Sequence, residues 1–310
     1  MASMLYQHLP HVIAIAGSGQ MGCGIAQICA LKGMEVLLSD RTQAMVNHGM
    51  SHLQRLMERQ IKKGMITQED AHAAVGRISP AVSLEPFSKA DFVVEAVSED
   101  EELKKSVFRK LDQITRVHTI LASNTSSISI TRLAAVTSKP HRVVGLHFMH
   151  PVAEVPVVEL ARGMHTSHGT FEAAKSFAEH LGKTVVVSED RPGFLLYRLL
   201  MPLINEAFFA LMEGVASSED IDKGLRMGTA MKLGPLKMAD SIGLDTCLSI
   251  MRVLHQDLGD SKYRPCPLLA QYVNAGMLGM KTGKGVFYYE SKEGLDGDRA
   301  VREGRHSLSI

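Results

Sequence analysis

Four cysteines, a net charge of +1 and the want of any long apolar run narrow what this 310-residue chain can do. Cys23, Cys29, Cys247 and Cys266 show no CxxC spacing and no paired framework, which excludes a disulfide scaffold and points to reduced thiols in a reducing compartment. With 34 Lys+Arg against 33 Asp+Glu and no block of like charge, the chain lacks the electrostatic footprint of a nucleic-acid or membrane-surface binder. Its most apolar stretch, 193–204, is too short to span a bilayer and carries Arg198. The first ten residues have no Lys or Arg and no long apolar run, which argues against a signal or transit peptide. The final Ser-Leu-Ser-Ile is not the Ser-Lys-Leu peroxisomal address. No repeat or low-complexity segment is present. The HxxH pairs at His147/His150 and His165/His168 lack the i, i+4 spacing and acidic support of a helical metal site, so no metal is expected. A small-molecule partner and a cytoplasmic location are the expectations.

What is there is a strong α/β rhythm. From residue 11, HVIAIAGSGQMGCGIAQICALKGMEVLLSD reads as a βαβ unit: a β-branched run, a glycine cluster, a helical pattern and a second apolar run closing on Asp40. Strand-length runs follow at 91–97, 119–123, 142–148, 155–160 and 184–187, with helical segments at 100–113, 128–136 and 168–182 between them. That alternation predicts a Rossmann-type doubly wound sheet. Residues 43–76 are too long and too charged for one crossover helix and read as a helical-hairpin flap turning at Gly64 and resuming at Gln68. After residue 190 the strands stop, and helices are expected at 193–213, 218–227, 243–257 and 267–275. The predicted organisation is therefore a dinucleotide-binding domain over 1–190, an all-helical domain over 191–290 and a polar tail over 291–310.

GSGQMG, residues Gly17 to Gly22, follows a strand and opens a helix, and Asp40 ends the next strand 18 residues after Gly22. Gly17 permits the tight turn, Gly19 lets backbone approach a pyrophosphate and Gly22 allows close helix packing, with Gln20 and Met21 opening the helix. Free N–H groups and the helix dipole favour the anion there. Asp40 is placed to accept from the adenosine ribose hydroxyls and to repel a 2′-phosphate, which favours NAD over NADP. Arg41 reads as a solvated loop residue. Downstream, SNTSSISI at 123–130 sets hydroxyls at the carboxyl edge of the sheet, where ligands of open α/β folds bind. His147 and Glu159 lie 12 residues apart on separate strand-like runs whose adjacent pairing brings carboxylate to imidazole. Such a pair suits alcohol oxidation, because the hydroxyl proton must leave as the hydride does. A strand histidine is also a common core residue; Glu159 says more, since an unpaired buried carboxylate is costly.

The motifs GSGQMGCGIAQ, VVEAVSEDEELKK, ILASNTSSISITRLA, GLHFMHP, VVEL, DRPGFLLYRLLMPLINEA, EDIDKGLRMG, GPLKMADSIGLD and KTGKGVFYY, in this order, resemble those of the 3-hydroxyacyl-CoA dehydrogenases, including the short-chain 3-hydroxybutyryl-CoA enzymes, over nearly all of 11–290. The resemblance implies NAD-dependent, reversible oxidation of (S)-3-hydroxyacyl-CoA to 3-oxoacyl-CoA in fatty-acid metabolism. It implies His147 as catalytic base, Glu159 as its orienting partner and Ser126 as a hydroxyl touching substrate and nicotinamide. It places Glu99 and Lys104 near the nicotinamide ribose, Lys281 near the cofactor, Lys62 or Lys63 at the CoA phosphates, and the helical half at a homodimer interface. Relatives of the family also work in mitochondria and peroxisomes.

Three departures stand out. The family pattern has Asn where this chain has His150, beside the nicotinamide, and Asn where it has Tyr197, at the substrate thioester. RMGTAMKLGPL replaces a Pro-Met-Gly-Pro run. Two alternatives follow: a family member that binds NAD with little turnover, and a dehydrogenase of a free hydroxy acid. Elsewhere, Cys23, Cys29 and the 18 Met read as packing, Arg198, Asn205 and Glu206 as cleft, interface or plain surface, and Asp222 with Lys223 as a solvated helix face.

Overall fold

The computed structural model describes residues 9–289. The expected tail at 291–310 and most of the N-terminal decapeptide lie outside these residues.

Contact between residues divides the described chain into two compact units, one running to residue 202 and taking in 250–264, the other of 203–249 with the described residues from 265 on. The first unit is built on an eight-stranded sheet. Its strands are β1 (Val12–Ala16), β2 (Glu35–Ser39), β3 (Ile78–Ala81), β4 (Phe92–Glu95), β5 (Ile120–Ser123), β6 (Val143–Phe148), β7 (Val157–Arg162) and β8 (Thr184–Glu189), in spatial order β3-β2-β1-β4-β5-β6-β7-β8. All neighbours are parallel except β6 and β7. The order reverses between β1 and β4, the switch point where doubly wound sheets bind ligands.

Period-two alternation sends successive side chains to opposite faces. Ile13 and Ile15 join one core with α1 (Gln20–Leu31), α2 (Gln43–Lys62), α3 (Gln68–Gly76) and α6 (His168–His180). Ala14 and Ala16 join the other, with Phe108 and Leu111 of α4 (Glu101–Ile114) and with α5 (Ile130–Ala134). Truncating fully buried Phe108 to Ala would cost about 3–5 kcal/mol.

The hairpin forms as expected, and its capping explains why. Thr42 accepts from the Met45 N–H at the start of α2, and Thr67 makes a capping box with Asp70 at the start of α3. Its base belongs to the core through Leu53, Met57, Ala71 and Ala74, while Lys62, Lys63, Gly64 and Met65 stand exposed. Strand β3 lies outside the sequence expectation. It is four residues long and contains Pro80, which an edge strand tolerates.

Helix α7 (Leu196–Met212) enters the second unit, which also holds α8 (Ser218–Gly228), α9 (Pro235–Ile242), the start of α10 (Leu244–Leu258) and α11 (Pro267–Asn274). Helix α9 is absent from the sequence expectation. Asp222 corrects a second reading: rather than sitting on a solvated face, it is 5% exposed and accepts from the Leu236 and Lys237 N–H groups at 2.8 and 2.9 Å, capping α9. Asp240 does similar work for residues 286–289, accepting from Val286 N–H, Phe287 N–H and the Tyr289 hydroxyl. No helix among the described residues is long and apolar enough to cross a membrane.

Candidate active site

The glycine turn joins β1 to α1. Gly17 has φ +107°, and a Cβ there would lie 2.5 Å from the Ala96 carbonyl oxygen, so only glycine fits. A Cβ at Gly22 would lie 1.9 Å from the Gly17 oxygen, the close packing that brings α1 against the strand. At Gly19 the Cβ position has nothing within 4 Å, leaving open space beside the first turn of α1, whose N–H groups have no intrahelical partner. Asp40 Oδ2 accepts from the Ser18 N–H and hydroxyl, both at 2.8 Å, and Oδ1 from the Arg41 N–H. The carboxylate thus fastens the turn to the end of β2 and keeps lone pairs for further donors. Open space, orphan N–H donors and an anionic acceptor fit a dinucleotide with an unphosphorylated ribose. Cys23, in the first turn of α1, points its thiol at the Ser18 and Gly49 carbonyls, and burial pushes its pKa up to about 12. No disulfide joins the four cysteines.

Across the switch point, Glu99 gathers the loop after β5. Its Oε1 receives the Thr125 hydroxyl at 2.6 Å, the Ser126 N–H at 2.9 Å and hydroxyl at 3.1 Å, and the N–H and hydroxyl of Ser127. Burial works against the charged form of Glu99, but the Lys104 ammonium and these donors outweigh it and hold the carboxyl below the usual range. Lys104 itself is 1% exposed, with its ammonium 2.7 Å from Glu95. Glu95 escaped the sequence reading, although a glutamate in the apolar run FVVEAV carries the same signal that singled out Glu159.

The antiparallel pairing of β6 and β7 sets His147 directly opposite Glu159. His147 Nδ1 lies 2.9 Å from Glu159 Oε2, and both residues are buried. Glu159 Oε1 accepts from the Leu195 and Leu196 N–H groups at 3.0 and 2.7 Å, where α7 begins. To deliver them the chain turns through Gly193 (φ +75°) and Phe194 (φ +46°), a left-handed conformation uncommon outside glycine. A carboxylate oxygen only accepts, so in the neutral imidazole the tautomer is the one with the proton on Nδ1 and the lone pair on Nε2. The Tyr197 ring lies 5.3 Å from the imidazole, centroid to centroid.

His150 faces the glycine turn, its Nε2 2.9 Å from the Gln20 amide. Burial pushes the His150 imidazole below the usual histidine range, against the pull of Glu154 and with the help of Arg59. Lys63 forms an ion pair with Glu154, and Lys62 is exposed with its neighbours. Lys281 lies in the second unit, its ammonium held by both oxygens of Asp245 at 2.6 and 2.7 Å. The structure therefore brings together His147, Glu159 and Tyr197; Glu99, Lys104 and Ser126; and Gly17, Gly19, Gly22, Gln20, Asp40 and His150.

A switch-point glycine turn, an acid closing the second strand and a buried imidazole–carboxylate pair on one sheet define a dinucleotide-dependent oxidoreductase. Residues 12–191 match the NAD-binding domain of 3-hydroxyacyl-CoA dehydrogenase and residues 193–289 its C-terminal domain, so the chain belongs to the 3-hydroxyacyl-CoA dehydrogenase family. It is an NAD-dependent dehydrogenase of 3-hydroxyacyl-CoA. It is 48% identical to 3-hydroxybutyryl-CoA dehydrogenase of Bradyrhizobium diazoefficiens over 277 residues, 89% of this chain and 94% of that protein. It is 34% identical to the human mitochondrial hydroxyacyl-coenzyme A dehydrogenase, over 90% of this chain and 91% of that protein. The crystal structure of (S)-3-hydroxybutyryl-CoA dehydrogenase from Ralstonia eutropha superposes with a TM-score of 0.86 at 44% identity, covering 91% of this chain and all of that one.

Proposed function

We propose that the chain interconverts (S)-3-hydroxybutyryl-CoA and its 3-oxo ester with His147 as the general base. One observation carries this reading: the buried His147–Glu159 pair, whose carboxylate is locked from its other side by the N–H groups of Leu195 and Leu196 at the start of α7. Nε2, with its lone pair, takes the 3-hydroxyl proton. Glu159 stabilises the imidazolium that results and holds the ring in the tautomer required. The nicotinamide cofactor, when bound, would supply the hydride acceptor as NAD+ in oxidation and the hydride donor as NADH in the reverse direction. Gly17, Gly19, Gln20, Met21 and Gly22 cradle its pyrophosphate, Asp40 its adenosine ribose, and Glu99 with Ser126 the nicotinamide end. His150 and Tyr197 occupy the two Asn positions of the family pattern and bring a ring nitrogen and a hydroxyl in place of the amides. The substrate's chain length rests on the names of the relatives, and the exposed flap lysines, Lys62 and Lys63, are the residues suited to CoA phosphates.

The second unit serves as the homodimer surface, a reading supported by Met212, Val215 and Met227, which are 43%, 70% and 71% exposed. Four buried thiols without a disulfide support a cytoplasmic site of action. The test is acetoacetyl-CoA-dependent oxidation of NADH measured beside a direct NADH titration. Binding with turnover supports the proposal. Binding without turnover assigns the chain a role as an NAD-holding family member, and turnover of acetoacetate without CoA overturns the substrate class.

A further inference from the structure

The flap carries a group of cations of which a single one is answered by an acid. Arg55, Arg59, Lys62 and Lys63, along α2 and at its end, are all exposed. Among the described residues only Lys63 of these four has an ion pair, with Glu154 in the turn between β6 and β7. The two side chains are 52% and 48% exposed, and an exposed pair of this kind contributes little to stability. Stability therefore gives small reason for the acid. Its turn is held by other means: the Lys183 ammonium donates to the Val152 and Val155 carbonyls, and Val152 seats on Gly24 of α1. A Cβ at Gly24 would lie 2.8 Å from Val152 Cγ2, so only glycine lets the turn come this close. Glu154 is thus presented from a fixed backbone, and its side chain alone has to swing for the pair to open.

The cluster adjoins the candidate site through His150. Burial has the largest influence on that imidazole, and after it come Glu154, which favours the charged form, and Arg59, which opposes it. His150 in turn lies against Gln20 at the start of α1. Unpaired cations in a row suit a polyanion, and a phosphate at Lys63 takes the place that the Glu154 carboxylate holds. Carboxylate and phosphate offer the ammonium the same kind of charge-assisted acceptor, so exchanging one for the other gains little. We infer that Glu154 is a specificity-determining residue, a tethered stand-in for phosphate that neutralises Lys63 until the phosphates of CoA displace it. It weakens the hold on a CoA thioester and leaves a phosphate-free thioester untouched. This rests on the proposed reading of the flap lysines as partners of the CoA phosphates.

The test is Glu154→Gln, Lys63→Met and the double variant, each assayed for NADH-dependent reduction of acetoacetyl-CoA and of acetoacetyl-pantetheine, the same thioester without phosphates. At about 10 mM salt, Glu154→Gln is expected to raise kcat/KM for acetoacetyl-CoA about 3- to 5-fold and to leave that for acetoacetyl-pantetheine within about 1.5-fold. The gain is expected to vanish at about 1 M salt, where charges are screened over about 3 Å. On the Lys63→Met background it is expected to fall below about twofold, because the ammonium that the two anions share is gone. An equal gain for both substrates overturns the proposal, since Glu154 would then act through His150. An equal gain with and without Lys63 overturns it too, being the field of one charge and not an exchange. An unchanged or lowered kcat/KM for acetoacetyl-CoA does the same, and makes the pair inert or a latch for the flap. Direct titration with CoA needs no turnover: its Kd is expected to fall about 3- to 5-fold in Glu154→Gln, and an unchanged Kd overturns the proposal. A parent chain that reduces neither thioester while its CoA Kd shifts as expected overturns the proposed reaction and leaves the role of Glu154 standing, so the two failures are distinguishable.

Discussion

Two glutamates stand in otherwise apolar strands, Glu95 in β4 and Glu159 in β7, and both are fully buried. Glu159 meets a histidine and two N–H groups at a helix start; Glu95 meets a lysine, one N–H and a serine hydroxyl. The partners differ in what they do during a reaction. An imidazole changes charge near neutral pH, so a carboxylate beside it stabilises a state that exists only while the proton is held. An ammonium keeps its charge, so a carboxylate beside it sets geometry and gains nothing from the chemical step. On the proposed function, Glu159 would thus take part in the reaction, whereas Glu95 would set geometry.

The comparison breaks most sharply at His147. His147→Gln is expected to lower turnover about 10³- to 10⁴-fold while NADH affinity stays within about twofold; turnover within tenfold of the parent would remove the imidazole from the mechanism. Glu159→Gln is the finer test. Its amide oxygen still accepts from Leu195 and Leu196, which turns the NH2 group toward His147 Nδ1 and forces the proton onto Nε2, the wrong tautomer. A loss of about 10²- to 10³-fold in kcat with the fold retained is expected. If Glu159→Gln instead changes only the thermal midpoint, Glu159 is a support like Glu95.

Asp40 gives a smaller effect on the cofactor side. Asp40→Asn keeps an oxygen for Ser18 but removes the charge, so NADH affinity is expected to fall about 10-fold and discrimination against NADPH to shrink, read by paired titrations. Equal preference before and after the change would take Asp40 out of cofactor selection.

Much of this was legible before the fold was seen. The glycine turn announced itself through its context, since GSGQMG lies between a strand and a helix with an acid ending the next strand. Glu159 stood out because an acid in VPVVEL must find a partner, and His147 opposite it follows from strand pairing. The hairpin was readable from the turn at Gly64 and the resumption at Gln68. What stayed hidden depends on distant packing. The family resemblance placed Lys104 near the nicotinamide ribose but not its burial: it sits in the charged run EELKK and is 1% exposed in the fold. Asp222 looked like surface for the same reason: its donors belong to α9, a helix that opens with Pro235 more than a turn further along the chain. Strand β3, with one side chain of four buried, presents too little apolar pattern to be seen.

The smallest expected effect concerns stability and acid. Glu99 is held below the usual carboxylate range in the folded chain, by Lys104 and the loop donors against the opposing effect of burial. A depressed folded pKa means that the unfolded chain binds the proton more readily. The contribution of Glu99 to stability is therefore complete above the ordinary carboxylate value of about 4.3 and is lost as pH falls through the lowered folded value. Glu99→Gln removes that titration. The fall in thermal midpoint between about pH 5 and about pH 2 is expected to be shallower in the variant by a few degrees, on a scale of about 2–4 °C per kcal/mol for a chain of this size. An unchanged fall in the Glu99→Gln variant would remove Glu99 from the acid dependence of stability.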